Sequence, residues 1–179
     1  MKHHDGFSLI ELMVTLAVAA ILLSVGVPSF AEFIRNNRLA AGTNNLVAAM
    51  QVARAEAIRR GEPITLCASA DPAASAVSCT GATAWGGQDV VLVVDGVRAG
   101  NPSPAELVQV FNNEDLQLSI TAPEHSGGFI RFLPNGEVVT GSKLEVFFEL
   151  KPDTCHGEQR RRVYLSRMGR IRTQRLACS

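Results

Sequence analysis

The chain has 179 residues, 17 Lys and Arg balanced by 17 Asp and Glu, and 46% of it is hydrophobic. That length excludes much more than one domain, and the neutral total excludes a surface of one sign throughout. Four cysteines with no C-x-x-C spacing argue against a zinc site.

The first element is an apolar run. From Phe7 to Phe30 only Glu11 is charged. As a helix the run is roughly 36 Å long, enough to cross a bilayer. An ionisable group near the end of a spanning helix is costly, so Glu11 marks a functional position. Two plainer readings compete: a membrane anchor and nothing more, or a secretory signal cleaved after Ser29, Phe30 and Ala31. Signal h-regions span about 7–15 residues, shorter than this run, and here a charge sits inside it. Positive-inside bias is weak, because Asp5 opposes Lys2 while Arg35 and Arg38 follow the span.

The segment Gly6, Phe7, Ser8, Leu9, Ile10, Glu11, Leu12 resembles the N-terminus of type IV pilins and pseudopilins. The resemblance implies a leader over residues 1–6, cut after Gly6 by a prepilin peptidase, with N-methylation of Phe7. It implies a transmembrane and assembly helix over 7–30, in which Glu11 pairs with the N-terminal amine of a neighbouring pilin subunit. Pilins of this kind often carry a proline near Pro28, where the helix is thought to unwind in the filament. From the residues alone, Pro28 after Gly26 predicts a kink or local melting, either a hinge or a tolerated membrane proline.

An amphipathic continuation occupies 31–61, with helix to Arg60. Leu39, Leu46, Met50, Ala53 and Ala57 form its apolar stripe, with Val47, Arg54 and Ile58 beside it. Gly61 stands where a C-cap glycine belongs, and Pro63 forbids continuation. Gly42 weakens this helix by about 1 kcal/mol.

From 62 to 179 the pattern is β-rich. Strands are predicted at Ile64–Cys67, Asp89–Val94, Leu107–Phe111, Leu116–Thr121, Phe129–Leu133, Glu137–Thr140 and Leu144–Leu150. A last pair is expected at Arg162–Ser166 and Arg170–Gln174, about Met168 and Gly169. Ser69–Gln88 reads as a loop, and Pro102 and Pro104 mark a linker loop. Pro134, Asn135 and Gly136 have the chemistry of a tight hairpin. Four cysteines allow three connectivities; the sequence-local one, Cys67–Cys79 with Cys155–Cys178, is favoured, each bridge stabilising by roughly 3 kcal/mol. An even count beyond a membrane anchor indicates an oxidising compartment. That places the globular part in the periplasm and the N-terminus in the cytoplasm of a single-pass bacterial inner-membrane protein.

The stretch Val52 to Arg60, the strand ending at Cys67, and Phe132 to Gly136 resemble the GspH/FimT/FimU family of minor pilins. The fold class expected is therefore α+β, the type IV pilin fold, with one long helix packed on antiparallel β-structure. The assembled product would be a pilus or pseudopilus at the cell surface.

No G-x-S-x-G, P-loop or H-E-x-x-H occurs, so nothing points to an enzyme or a cofactor. His3 and His4 fall in the presumed leader; His125 and His156 read as solvated. The second informative site is the tail. Residues 159–179 hold Arg160, Arg161, Arg162, Arg167, Arg170, Arg172 and Arg175 and no acid, so residues 1–158 carry the compensating seven negative charges. The planar guanidinium matches phosphate oxygens bidentately. Arg170 and Arg172 flank Ile171; on a strand they share a face, with heads starting roughly 6.6 Å apart. A bridge at Cys178 would tether the segment and lower its ordering cost.

Gly169, Arg170, Ile171 and Arg172 match a G-R-x-R motif of FimT-type minor pilins, whose arginine-rich end binds DNA during natural transformation. By that resemblance the contact is carried to Arg170 and Arg172, with Gly169 in the motif and Arg175, Arg167 and Arg160 to Arg162 in support. Relatives like FimU and GspH also carry a C-terminal Gly-Arg. The arginines would otherwise face acidic subunits, lipid or solvent. Tyr164 and Trp85 are the only Tyr and Trp, which leaves a stacking platform poorly supported. Binding to double-stranded DNA would then run through the phosphate backbone, salt-sensitive and blind to sequence. The competing function is structural: a GspH-like minor pseudopilin of a type II secretion system, or a FimU-like assembly-priming pilin.

Overall fold

A computed structural model describes residues 8–74, 77–97, 101–112, 118–122, 127–140 and 143–178. Gly6, Phe7, His3, His4 and His125 lie outside these, as does the expected strand start at Leu116. The chain divides into two compact units, Met1–Asn37 and Arg38–Ser179. One helix, α1 (Leu9–Arg60), supplies residues to both.

In the first unit α1 is apolar and uncovered. It is long and apolar enough to cross a membrane, with a mean hydropathy of 2.4 over its best window and none of that window buried. The helix runs unbroken past Pro28.

In the second unit the stripe of α1 is buried: Leu39, Leu46, Met50, Ala53 and Ala57 are all fully shielded. The helix stops at Gly61, whose φ of +70° only glycine adopts freely, and whose N–H caps the Ala57 carbonyl at 3.1 Å.

Among the described residues nine strands follow: β1 (Ile64–Ser69), β2 (Asp89–Asp95), β3 (Pro104–Phe111), β4 (Leu118–Thr121), β5 (Phe129–Phe132), β6 (Val138–Val139), β7 (Glu145–Pro152), β8 (Arg160–Ser166) and β9 (Ile171–Leu176). All pairings are antiparallel. The first sheet has the order β3-β2-β1-β5-β6 and the second β4-β7-β8-β9. Ile64, Leu66, Leu92, Ile130 and Phe132 of the first sheet join Ile120, Val146, Phe148, Val163 and Leu165 of the second and the α1 stripe in one core.

Central strand β1 is buried on both faces. On its other face Cys67 joins Val91 and Val93 of β2 under Val77 and Cys79 of the following loop. Cys67 is bonded to Cys79, with Cα atoms 5.5 Å apart. The loop reading of Ser69–Gln88 missed Trp85. Trp85 is fully buried, its ring centroid 5.0 Å from that of Phe148, and its Nε1 donates to the Ala82 carbonyl at 3.0 Å. The linker loop expected at Pro102 and Pro104 also ends sooner, because Pro104 opens β3. Proline is tolerated there as the first residue of an edge strand.

A buried ion pair, Asp95 at the end of β2 with Arg131 of β5, spans β1, both side chains being almost fully shielded. Asp95 Oδ2 accepts from Thr65 Oγ1 at 2.6 Å and from Arg131 Nε and Nη2 at 2.9 and 2.7 Å. Its Oδ1 accepts the backbone N–H groups of Val97 and Ser103. A carboxylate so fully partnered can remain charged in the interior.

Candidate functional site: the arginine-rich hairpin

Strand β7 alternates strictly, Val146, Phe148 and Leu150 inward and Glu145, Phe147 and Glu149 outward. Register then fixes the arginines of β8 and β9. Arg162 lies opposite Glu149 and Tyr164 opposite both Phe147 and Arg172. On this outward face the Arg172 guanidinium stands 4.0 Å from the Tyr164 ring centroid and 3.3 Å from Glu145. Arg162 lies 4.6 Å from the Phe147 centroid and 2.9 Å from Glu149, which Arg160 approaches at 3.5 Å. Phe147 and Tyr164 meet at 5.8 Å. The Arg172–Glu145 pair, nearly half exposed, contributes about 0–1 kcal/mol.

The β8–β9 turn is built by short hydrogen bonds. Gly169 N donates to the Ser166 carbonyl at 2.8 Å, and Arg170 N to Ser166 Oγ at 3.0 Å. Gly169 has φ +76°, and a Cβ there would stand 2.8 Å from the Gly136 carbonyl and 2.9 Å from Arg54 Nε. The site needs glycine on both counts. Strand β9 begins only at Ile171, so Arg170 belongs to the turn, and the strand spacing expected for Arg170 and Arg172 does not apply. Arg170 instead lines an apolar cleft of about 540 Å³ with Arg54, Ile58 and Ile171.

Arg161 and Arg175 lie opposite one another on the other face of the hairpin. Arg161 Nη1 donates to the carbonyls of Glu158 and Arg160. Burial, then the Arg175 cation, pull the Arg161 pKa below the usual arginine range, with Glu158 opposing. Arg167, Arg170 and Arg175 are exposed, and none of the three has an acidic partner among the described residues. Beyond β9, Cys178 is bonded to Cys155 and its N–H donates to the Gly157 carbonyl, which fixes the end of the strand.

At the other end of the chain Glu11 caps its own helix. Its Oε2 accepts from Ser8 N and Ser8 Oγ, both at 2.9 Å, while Ser8 Oγ accepts from Glu11 N at 3.3 Å. This reciprocal box was legible in the S-x-x-E spacing of Ser8 and Glu11. Sequence reasoning also missed Glu145 and Glu149 as arginine partners and Arg54 as a neighbour of the turn. Only sheet register brings them together. Among the described residues no group of three His, Cys, Asp or Glu side chains could hold a metal ion.

Comparison with known proteins places this geometry. The family described as Type II transport protein GspH matches residues 42–169, and the prokaryotic N-terminal methylation motif matches residues 1–27. Two proteins of Pseudomonas aeruginosa called fimbrial protein are each 27% identical over 145 residues, covering 80% of this chain and 81% of theirs. The fold is that of the type IV minor pilin FimU of P. aeruginosa. One crystal form gives a TM-score of 0.56 at 21% identity, covering 79% of this chain and 92% of FimU. A second form gives 0.50 at 20% identity, covering 75% and 90%. The match over most of its length and the N-terminal motif make this chain a member of the GspH family, a membrane-anchored minor pilin or pseudopilin that assembles with other pilin subunits.

Proposed function

We propose that this chain is a minor pilin of a type IV pilus that binds extracellular double-stranded DNA during natural transformation, through its C-terminal arginines and without sequence preference. One observation supports this above others. Arg167, Arg170 and Arg175 project from a single disulfide-tied hairpin with no acidic partner among the described residues. Guanidinium groups without an acidic partner favour phosphate contact, and phosphate contact is sequence-blind and salt-dependent. In this reading prepilin peptidase cuts after Gly6 and methylates Phe7, the globular part faces the periplasm, and Glu11 docks the subunit onto its neighbour.

The test is an electrophoretic shift assay on the fragment beginning near Arg35, which retains every buried core side chain and both disulfides. Micromolar binding of unrelated duplexes is expected. Changing Arg170 and Arg172 together to Gln should weaken all of them alike. Unaltered binding in that variant would count against these residues.

A structural reading draws on a different observation. Glu145 and Glu149 already hold Arg160, Arg162 and Arg172, so three of the seven arginines serve the sheet itself. A pseudopilin of a secretion system, or an assembly-priming pilin, needs no more than that. Gene deletion separates the two: loss of secretion with intact DNA uptake favours the structural role.

A further inference from the structure

We infer that Arg161 and Arg175, with Asn44 and Thr173 beside them, form one oxyanion site that takes a single phosphodiester of the DNA backbone; the inference rests on the reading above and locates its main contact. The two arginines are directly opposed in the antiparallel β8–β9 register. Such pairs hold their Cβ atoms about 4.5–5.5 Å apart, and like charges so placed repel. Among the described residues no carboxylate bridges them. Among the described residues Glu158 is the acid that acts on Arg161, and burial with the Arg175 charge outweighs it.

The pair opens into a cleft of about 300 Å³ between the edge strand and α1, where Asn44, Thr173 and Gln174 add neutral donors. Arg161, which lines the cleft, is held in place through Nη1 by the carbonyls of Glu158 and Arg160, which lowers the ordering cost of binding. A phosphodiester offers two unesterified oxygens, one to each of two forks arriving from different strands. Arg162 and Arg172, by contrast, are already engaged by Glu149 and Glu145. The burden of binding thus falls on the pair facing the helix and not on the second arginine of the G-R-x-R segment.

The experiment uses the full chain in nonionic detergent and a 30-base-pair duplex across a KCl series. Arg161→Gln and Arg175→Gln should each lower affinity about 5–10-fold and reduce the salt slope by about one. The double variant should cost little more than either single one, because both arginines serve one phosphate. Arg175→Lys, which keeps charge and fold, should retain most of the slope and lose the bidentate part of the affinity. Arg172→Gln should change affinity less than 3-fold. Full additivity, with about two units of slope lost, overturns the shared site. So does wild-type affinity in Arg175→Gln, including the case where that variant only fails to enter pili. If the wild type binds no DNA, the proposed function fails by itself. The site is then read with millimolar inorganic phosphate, which must raise the melting temperature of the wild type and not of Arg175→Gln. No shift in the wild type sinks the site whatever DNA does.

Discussion

Arg54 Nη1 donates to the Gly169 carbonyl at 3.3 Å, tying helix α1 to the β8–β9 turn across 115 residues of sequence. The same guanidinium lies against Gly136, 3.2 Å from where its Cβ would stand. Two glycine turns therefore close on one arginine. Gly169→Ala must adopt a left-handed backbone and push against both the Gly136 carbonyl and Arg54. A loss of about 1–3 kcal/mol is expected, measured by denaturant unfolding, together with weaker DNA binding as Arg170 moves. Wild-type stability would show that the turn tolerates a side chain.

The Asp95–Arg131 pair governs acid stability. Burial works against the Asp95 charge, but hydrogen bonds from Thr65, the Ser103 N–H and Arg131 outweigh it, so its pKa lies below the ordinary carboxylate value. A lowered folded pKa gives stability that is complete above roughly pH 4 and disappears as pH falls through the folded value. Glu56 titrates in the same window, held down to about 2 by Arg59 and then Arg60. Melting temperature should be flat near neutrality and drop below about pH 4. Asp95→Asn removes the buried charge that faces the Arg131 guanidinium and should cost about 3–5 kcal/mol at neutral pH, with a shallower acid decline. A steep decline unchanged in that variant would assign acid lability to other groups.

Cys155 and Cys178 close a loop with a sequence separation of 23. Replacing both by Ser should lower stability by about 3 kcal/mol. The loss of the tether should also raise the dissociation constant for DNA, since the end of β9 must then be ordered on binding. Calorimetry and binding on the same preparation check both.

Glu11 has a local partner in Ser8. Glu11→Ala should remove the cap and the group proposed to meet a neighbour's amine, leaving membrane insertion and leader removal intact. Quantifying the subunit in sheared filaments tests this: depletion is expected, and normal incorporation would contradict the assembly role.

Much of the fold could be read directly from residue spacing. The α1 stripe from Leu39 to Ala57, the stop at Gly61, and the Pro134–Gly136 turn each follow from local chemistry, and Gly136 takes φ +79° as such a turn needs. Trp85 could not be read, because its Ala-, Ser- and Thr-rich surroundings look like loop and the partners that make it core, Ile120 and Phe148 among them, lie far along the chain. The arginines were visible as a cluster, but their division was not. Glu149 precedes Arg162 by 13 residues and Glu145 precedes Arg172 by 27, and register alone decides that these are paired while Arg175 faces Arg161. The start of β9 at Ile171 moved Arg170 off the strand for a related reason: the Gly169 turn consumes that residue.

The most direct measurement is the dissociation constant of the purified protein for an arbitrary DNA duplex, followed as salt rises from about 50 to 200 mM. A cationic tip that neutralises several phosphates predicts a straight line of negative slope on logarithmic axes, common to unrelated sequences. Absence of binding at the lowest salt, with the protein folded and both disulfides intact, would contradict the account and leave the hairpin a purely structural face.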